Sequence, residues 1–184
     1  MTKPVLPSPD STALAALDRA QLFQAVEARV EAAWALCREV HPQLPRPGVW
    51  FDLRGGSAGQ AHLGRGGLRF NPSLLEENRD AFMVEVVPHE MAHWLVFHLQ
   101  DGTRLKPHGR EWQTVMRELF GLAAQVTHRF DTRRARPTPY RYRCGCQEHG
   151  FTSRRHGLVL KGRRYRCRDC AQTLVYHVYR EADI

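Results

Sequence analysis

The residues His89-Glu90-Met91-Ala92-His93 form the pattern HExxH. On an α-helix, residues four apart share one face, so both imidazoles can offer a ring nitrogen to one Zn²⁺ at about 2.0–2.1 Å. Glu90 follows the first imidazole and faces the metal's open position. There its carboxylate takes a proton from bound water and later passes it to a leaving amine. Zinc lowers the pKa of bound water to about 7, so a carboxylate is a sufficient base. Val84, Val86, Val87, Met91, Ala92, Trp94, Leu95 and Val96 surround the motif, which places it on a buried helix. Two histidines and a glutamate left unpaired there would be costly, and a shared metal removes that cost.

A catalytic zinc takes a third protein ligand and keeps water as the fourth. The extended pattern HExxHxxGxxH is absent, since Val96 and Leu99 occupy its last two defined positions. His98 lies five residues after His93 and points to another helix face. His108 is the better candidate, because it follows a turn over Asp101–Pro107 and opens a helix bearing Trp112. Glu111 and Glu118 are the carboxylate alternatives, each more simply read as a solvated helix-face charge.

A second ligand group lies towards the C-terminal end. Cys144, Cys146, Cys167 and Cys170 fall within 27 residues. In a reducing compartment such a cluster reads as metal binding before disulfides. Cys167 and Cys170 make a CxxC knuckle, while the other half offers CxC through Cys144 and Cys146, or CxxH through Cys146 and His149. Knuckles keep two residues between ligands, which favours Cys146, His149, Cys167 and Cys170; the rival set has Cys144 in place of His149. Four ligands leave no open position, so this second Zn²⁺ is structural. It stabilises a segment too small to fold firmly on its own core. Cys37 stands alone in a helical pattern and is assigned to packing.

These groups need elements to position them. Apolar residues at helical spacing predict a helix over 13–40, preceded by a Pro-rich segment expected to be disordered over 1–12. Short strands are expected over 49–53, 60–63 and 68–70, joined by glycine turns, with a helix start at Asn71-Pro72-Ser73. Residues 80–99 read as helical, with Pro88 forcing a kink or a fresh start. A helix over 108–120 ends at Gly121. The metal-binding core thus spans 13–130, a linker 131–139, and a small β module 140–180, with strands at 140–143, 158–160, 165–167 and 174–179.

The 184 residues carry a net charge of +8, and it is unevenly placed. Residues 1–132 sum to −1 and residues 133–184 to +9. In the basic part, Arg141, Arg143, Arg154, Arg155, Lys161, Arg163, Arg164 and Arg166 interleave with Tyr140, Tyr142, Phe151, Tyr165 and Tyr176. Arginine forks suit phosphate and aromatic faces stack on bases, so this module is a candidate nucleic-acid surface without sequence preference. No run of about 18 apolar residues exists to cross a membrane. A leader peptide is not evident, so a cytoplasmic monomer is expected.

Val86 to His93, then His108-Gly109-Arg110-Glu111-Trp112, resembles the SprT family of zinc metalloproteases. Leu68 to Leu75, Tyr142-Arg143-Cys144 and Thr152 to His156 extend the resemblance to residues 20–178. It implies an α+β, zincin-like core with His89, His93 and His108 on zinc and Glu90 as base, followed by a small β zinc ribbon. The family's eukaryotic relative, Spartan, is a DNA-dependent protease acting on DNA–protein crosslinks. Together these readings imply an endopeptidase acting on nucleic-acid-associated proteins. The alternatives are a non-proteolytic nucleic-acid-binding regulator with two zincs, and a hydrolase of a small amide.

Overall fold

The computed structural model describes residues 6–99, 104–135 and 138–177. The chain divides between Thr132 and Arg133 into two compact units. The first begins with α1 (Ser11–Ala16) and α2 (Arg19–Val40). The single helix expected over 13–40 is interrupted because Asp18 caps α2. Its carboxylate accepts from the Gln21 N–H, and the Gln21 side chain accepts from the Asp18 N–H. This reciprocal cap satisfies donors that a continuous helix would leave in its own ladder. Residues 6–12, expected to be disordered, are placed. Leu6 is buried, Asp10 caps α1, and the Arg29 guanidinium donates to the carbonyls of Pro7 and Met83.

Three short strands follow: β1 (Gly48–Trp50), β2 (Gly59–His62) and β3 (Gly67–Phe70). Their order is β1-β3-β2, with β3 parallel to β1 and antiparallel to β2. β2 is therefore an edge strand. A 3-10 turn over Leu63–Arg65 and Gly66, at φ +82°, joins it to β3.

Asn71 then caps α3 (Pro72–Glu77), as the Asn-Pro-Ser run predicts. One further turn, α4 (Arg79–Ala81), leads into a wide π-helical turn over Phe82–Val86 and then α5 (Val87–His98). Pro88 lies in the first turn of α5, directly after the wide turn, and the Met83 carbonyl five residues before it accepts from Arg29 Nε. α6 (Arg110–Thr114) ends in a second wide turn over Val115–Leu119 and at Gly121, φ +67°.

The apolar face of α2, with Leu22, Val26, Val30, Ala33 and Cys37, is buried, and α2 packs on α5. The other side of α5 meets β2, β3 and α6. Phe23, Phe51, Phe70 and Phe82 run in ring-to-ring contact, with centroids 3.9, 6.2 and 5.7 Å apart, from α2 through the sheet to the turn before α5. α5 is thus held from both sides.

In the second unit, β4 (Tyr140–Arg143), β5 (Glu148–Phe151) and β6 (Val175–Tyr176) form an antiparallel sheet in the order β5-β4-β6. Leu158–Leu160, expected as a strand, is the end of α7 (Ser153–Leu160). The Thr152 side chain accepts from the Arg155 N–H and starts a helix there, so the cap outweighs the apolar triplet. The strand expected over 165–167 is reduced to Arg166 pairing with Thr173. That over 174–179 keeps Val175–Tyr176, and residues 178 and 179 lie outside the described residues. Tyr142, Phe151, Cys167 and Leu174 make the small core.

Candidate metal centres

The i, i+4 spacing on α5 brings His89 and His93 to one face, and His108, expected to open a helix, lies two residues ahead of α6 and completes the group. Their Nε2 atoms form a triangle with edges of 3.2 Å (His89–His93), 3.0 Å (His93–His108) and 3.0 Å (His89–His108). A neutral imidazole presents at Nε2 either a lone pair or an N–H. Donors and acceptors cannot alternate around three members, so hydrogen bonds alone leave at least one edge repulsive. A cation resolves this, and tetrahedral Zn²⁺ at about 2.0–2.1 Å would set its nitrogens about 3.3–3.4 Å apart. The residues therefore fit a metal ion.

Trp112 is fully buried beneath the cluster, its ring centroid 4.7, 5.6 and 4.7 Å from those of His89, His93 and His108. Its Nε1 donates to the His89 carbonyl at 3.3 Å. The Gln125 main chain lies beside the His89 ring and favours its protonated form, against the effect of burial. His108 has φ +58°, a left-handed conformation that few side chains adopt, and it turns the ring inward. Gln113 Nε2 donates to the His108 carbonyl at 3.1 Å. His98 stays apart, its Nδ1 2.8 Å from the Trp94 carbonyl. Glu111 and Glu118 are not in the cluster. Burial, with the neighbouring imidazoles second, pushes His89 down to about 4 and His93 to about 3. Burial also lowers His108. All three rings are then neutral at physiological pH, as ligation requires.

Glu90 is buried, and its Oε2 accepts the Ala61 N–H of β2 at 2.8 Å. Burial pushes its carboxyl up to about 8, with the Ala61 N–H opposing. Gly59 packs directly on it: a Cβ at position 59 would lie 2.6 Å from Glu90 Cγ and 2.7 Å from Oε1. Two cavities, of about 520 and 530 Å³, share Gly59, His89 and Glu90 as lining. Neither Gly59, Ala61 nor Gln125 was found by reading the sequence. Gly59 acts by lacking bulk and Ala61 through the main chain, so neither side chain carries a signal.

In the second unit the sulfurs of Cys144, Cys146, Cys167 and Cys170 lie within 4.8 Å of one another. Cys144–Cys146 is 3.4 Å and Cys146–Cys167 is 3.6 Å, far beyond a disulfide bond and near the 3.7–3.8 Å or so expected around tetrahedral zinc. His149 falls outside this group of four, although its Nε2 is 3.3 Å from Cys144 Sγ. The main chain of His149 pairs with Tyr142 in the β4–β5 ladder, and Cys144 and Cys146 lie in the turn between those strands. The Cys144 thiol is held down to about 5. Desolvation opposes this, and the Cys146 N–H and the His149 ring outweigh it. Cys146 is pushed up by Cys144 and Cys170 beside it. All eight basic residues singled out above are exposed. Arg143 pairs with Glu148 at 2.7 Å, and the Arg155 guanidinium lies 3.9 Å from the centre of the Phe151 ring.

An α+β chain with a histidine triad beside a buried glutamate, and a separate cysteine group, defines a class: proteins with two side-chain clusters that could each hold a metal ion. The model of the SprT-like family matches residues 23–128. Protein SprT of Pseudomonas paraeruginosa is 47% identical over 155 residues, which cover 82% of this chain and 93% of the relative. Protein SprT of Shewanella oneidensis is 50% identical over 128 residues, covering 69% and 81%. This chain belongs to the SprT family. No solved structure matches it. Among the described residues, no helix is long and apolar enough to cross a membrane.

Two predictions follow from these geometries. In chelator-treated protein, His89 and His93 have folded values below the ordinary 6.5, so the unfolded chain binds protons first and stability falls as pH drops from about 6.5 towards 4. Glu90 has a folded value above 4.5, so the folded chain keeps its proton longer and stability falls as pH rises towards 8. Denaturant midpoints should peak near about pH 7, where the two histidine contributions are complete. Glu90→Gln should flatten the alkaline side, and an unchanged alkaline slope would refute the assignment. In the second unit, Cys144→Ser should lower the bound metal by one equivalent in elemental analysis while His149→Ala retains it; the reverse ranking would restore the CxxH set.

Proposed function

We propose that this protein is a zinc-dependent metallopeptidase of the SprT type with a zincin-like core, a cytoplasmic endopeptidase acting on nucleic-acid-associated proteins. The observation that carries this reading is the carboxylate of Glu90 on the wall shared by two cavities, beside three inward-facing imidazoles. When bound by His89, His93 and His108, Zn²⁺ supplies a Lewis acid that polarises a carbonyl and acidifies water. Glu90 takes the proton from the attacking water on a carboxylate oxygen and returns it to the leaving amine nitrogen. The Ala61 N–H holds that carboxylate in place, and the cation's charge draws its raised pKa back towards the ionised form.

The cysteine group serves as a structural zinc site. Around it, Arg141, Arg154, Lys161, Arg163, Arg164 and Arg166 offer exposed cations to phosphate. A module of this kind brings the peptidase to a polyanion and to the proteins on it.

Glu90→Gln should lower cleavage of a DNA-bound protein substrate by at least about a hundredfold, with zinc content and DNA affinity unchanged. Cleavage by the variant at the wild-type rate would remove Glu90 as base. Absence of cleavage by the zinc-loaded wild type would favour a non-proteolytic nucleic-acid-binding protein. DNA affinity, followed by filter binding, should fall steeply with salt, and Arg163→Ala with Arg164→Ala should reduce the log–log slope by about two. A salt-independent affinity would refute the electrostatic reading.

A further inference from the structure

The two cavities beside Glu90 have different walls. One reaches His93, His108 and Lys106, together with Leu63, Phe97 and Leu105. The other, of about 520 Å³, has Ala58, Val84, Val86, Met116, Leu122 and Val126 in its wall, with Glu85, Gln125 and His128 among its polar members. Ala58, Val86 and Met116 are core residues that turn one surface towards this space. Cavities of this size and character hold ligand groups.

The outer wall is a strap over residues 122–128 with neither helix nor strand. It is anchored at three points. The Leu122 N–H donates to the Met116 carbonyl at 2.8 Å, and the Gln125 main chain meets the ring of His89. His128 Nε2 lies 3.1 Å from the Gly56 carbonyl, and its ring stacks on Phe130 at 4.5 Å. The wall is therefore positioned relative to a metal-ligand candidate. Val126 on that wall is 49% exposed, a large apolar side chain that core packing does not cover.

We infer that this cavity is a side-chain pocket that selects an apolar residue, of leucine or phenylalanine type, next to the bond that is cleaved. The inference rests on the peptidase reading of the site and adds to it a substrate preference. An apolar side chain entering the pocket would cover Val126 and meet Ala58, Val84 and Val86, whereas a charged one would lose its hydration against them. Glu85 is exposed at the rim and stays in water. Selectivity then arises from burial rather than from a specific hydrogen bond.

The test uses the zinc-loaded full chain and peptide hydroxamates that differ only in the side chain beside the chelating group: Leu, Ala, Asp or Lys. Calorimetric titration reads affinity without turnover. The leucine compound should bind at least about tenfold tighter than the alanine, aspartate and lysine compounds, as expected when a hydrophobic pocket discriminates side chains. Val126→Asp should remove that advantage and raise lysine affinity, and Val126→Lys should raise aspartate affinity instead. Both substitutions fall on a half-exposed position, and circular dichroism checks that each variant is folded. Equal affinity for all four compounds would overturn the pocket while leaving the metal site standing, as would a wild-type preference for aspartate or lysine. No binding of any hydroxamate by zinc-loaded protein would overturn the reading of the metal site, and the pocket with it.

Discussion

Three imidazole nitrogens facing one another at 3.0–3.2 Å are the constraint on which the first unit is organised. Such a triangle has no satisfactory hydrogen-bonding pattern, so it fits a cation, and its geometry depends on a rigid surround. The surround is visible at each ring. The spacing on α5 sets two of them, a left-handed backbone turns in the third, and Trp112 fills the space below all three. Burial keeps the rings neutral, which leaves their lone pairs available.

The rest of the unit can be understood as support for α5. α2 lies against it on one side, and the sheet and α6 on the other. The wide turn at Phe82–Val86 lets the chain enter α5 with Pro88 in the first turn. The segment after Gly121 returns to His89 through the Gln125 main chain. In the second unit the same logic operates at smaller scale. A tight turn between two strands gathers Cys144 and Cys146 beside Cys167, and the ladder retains His149.

The legible parts of this protein were those in which donor chemistry and local period coincide. His89 and His93 follow from helical spacing, and Asn71-Pro72 from the chemistry of a helix start. Gly121 follows from its place at a helix end. His108 was legible as a candidate because a turn precedes it, yet its backbone conformation was not. Caps decided where reading failed. Asp18 divides one expected helix into two, and Thr152 makes a helix of an apolar triplet that reads as strand. The choice between His149 and Cys144 turns on side-chain placement that a spacing rule does not carry: the four sulfurs lie within 4.8 Å of one another, and the His149 ring lies 3.3 Å from Cys144 Sγ. Gln125 and Ala61 were beyond reach altogether, since each acts through main-chain atoms that every residue possesses.

Gly59 belongs to the same hidden class, and its consequence is broader. At this position an edge strand comes against the side chain of Glu90 with no room for a β-carbon. A single methyl group there would displace the glutamate, although position 59 carries no ligand, charge or proton. The dimensions of this site are thus partly defined by an atom that is missing. At Gln60 and His62 the strand is held by what the side chains bond, to Arg69 and to the Arg65 N–H; at Gly59 it is held by the side chain that is not there.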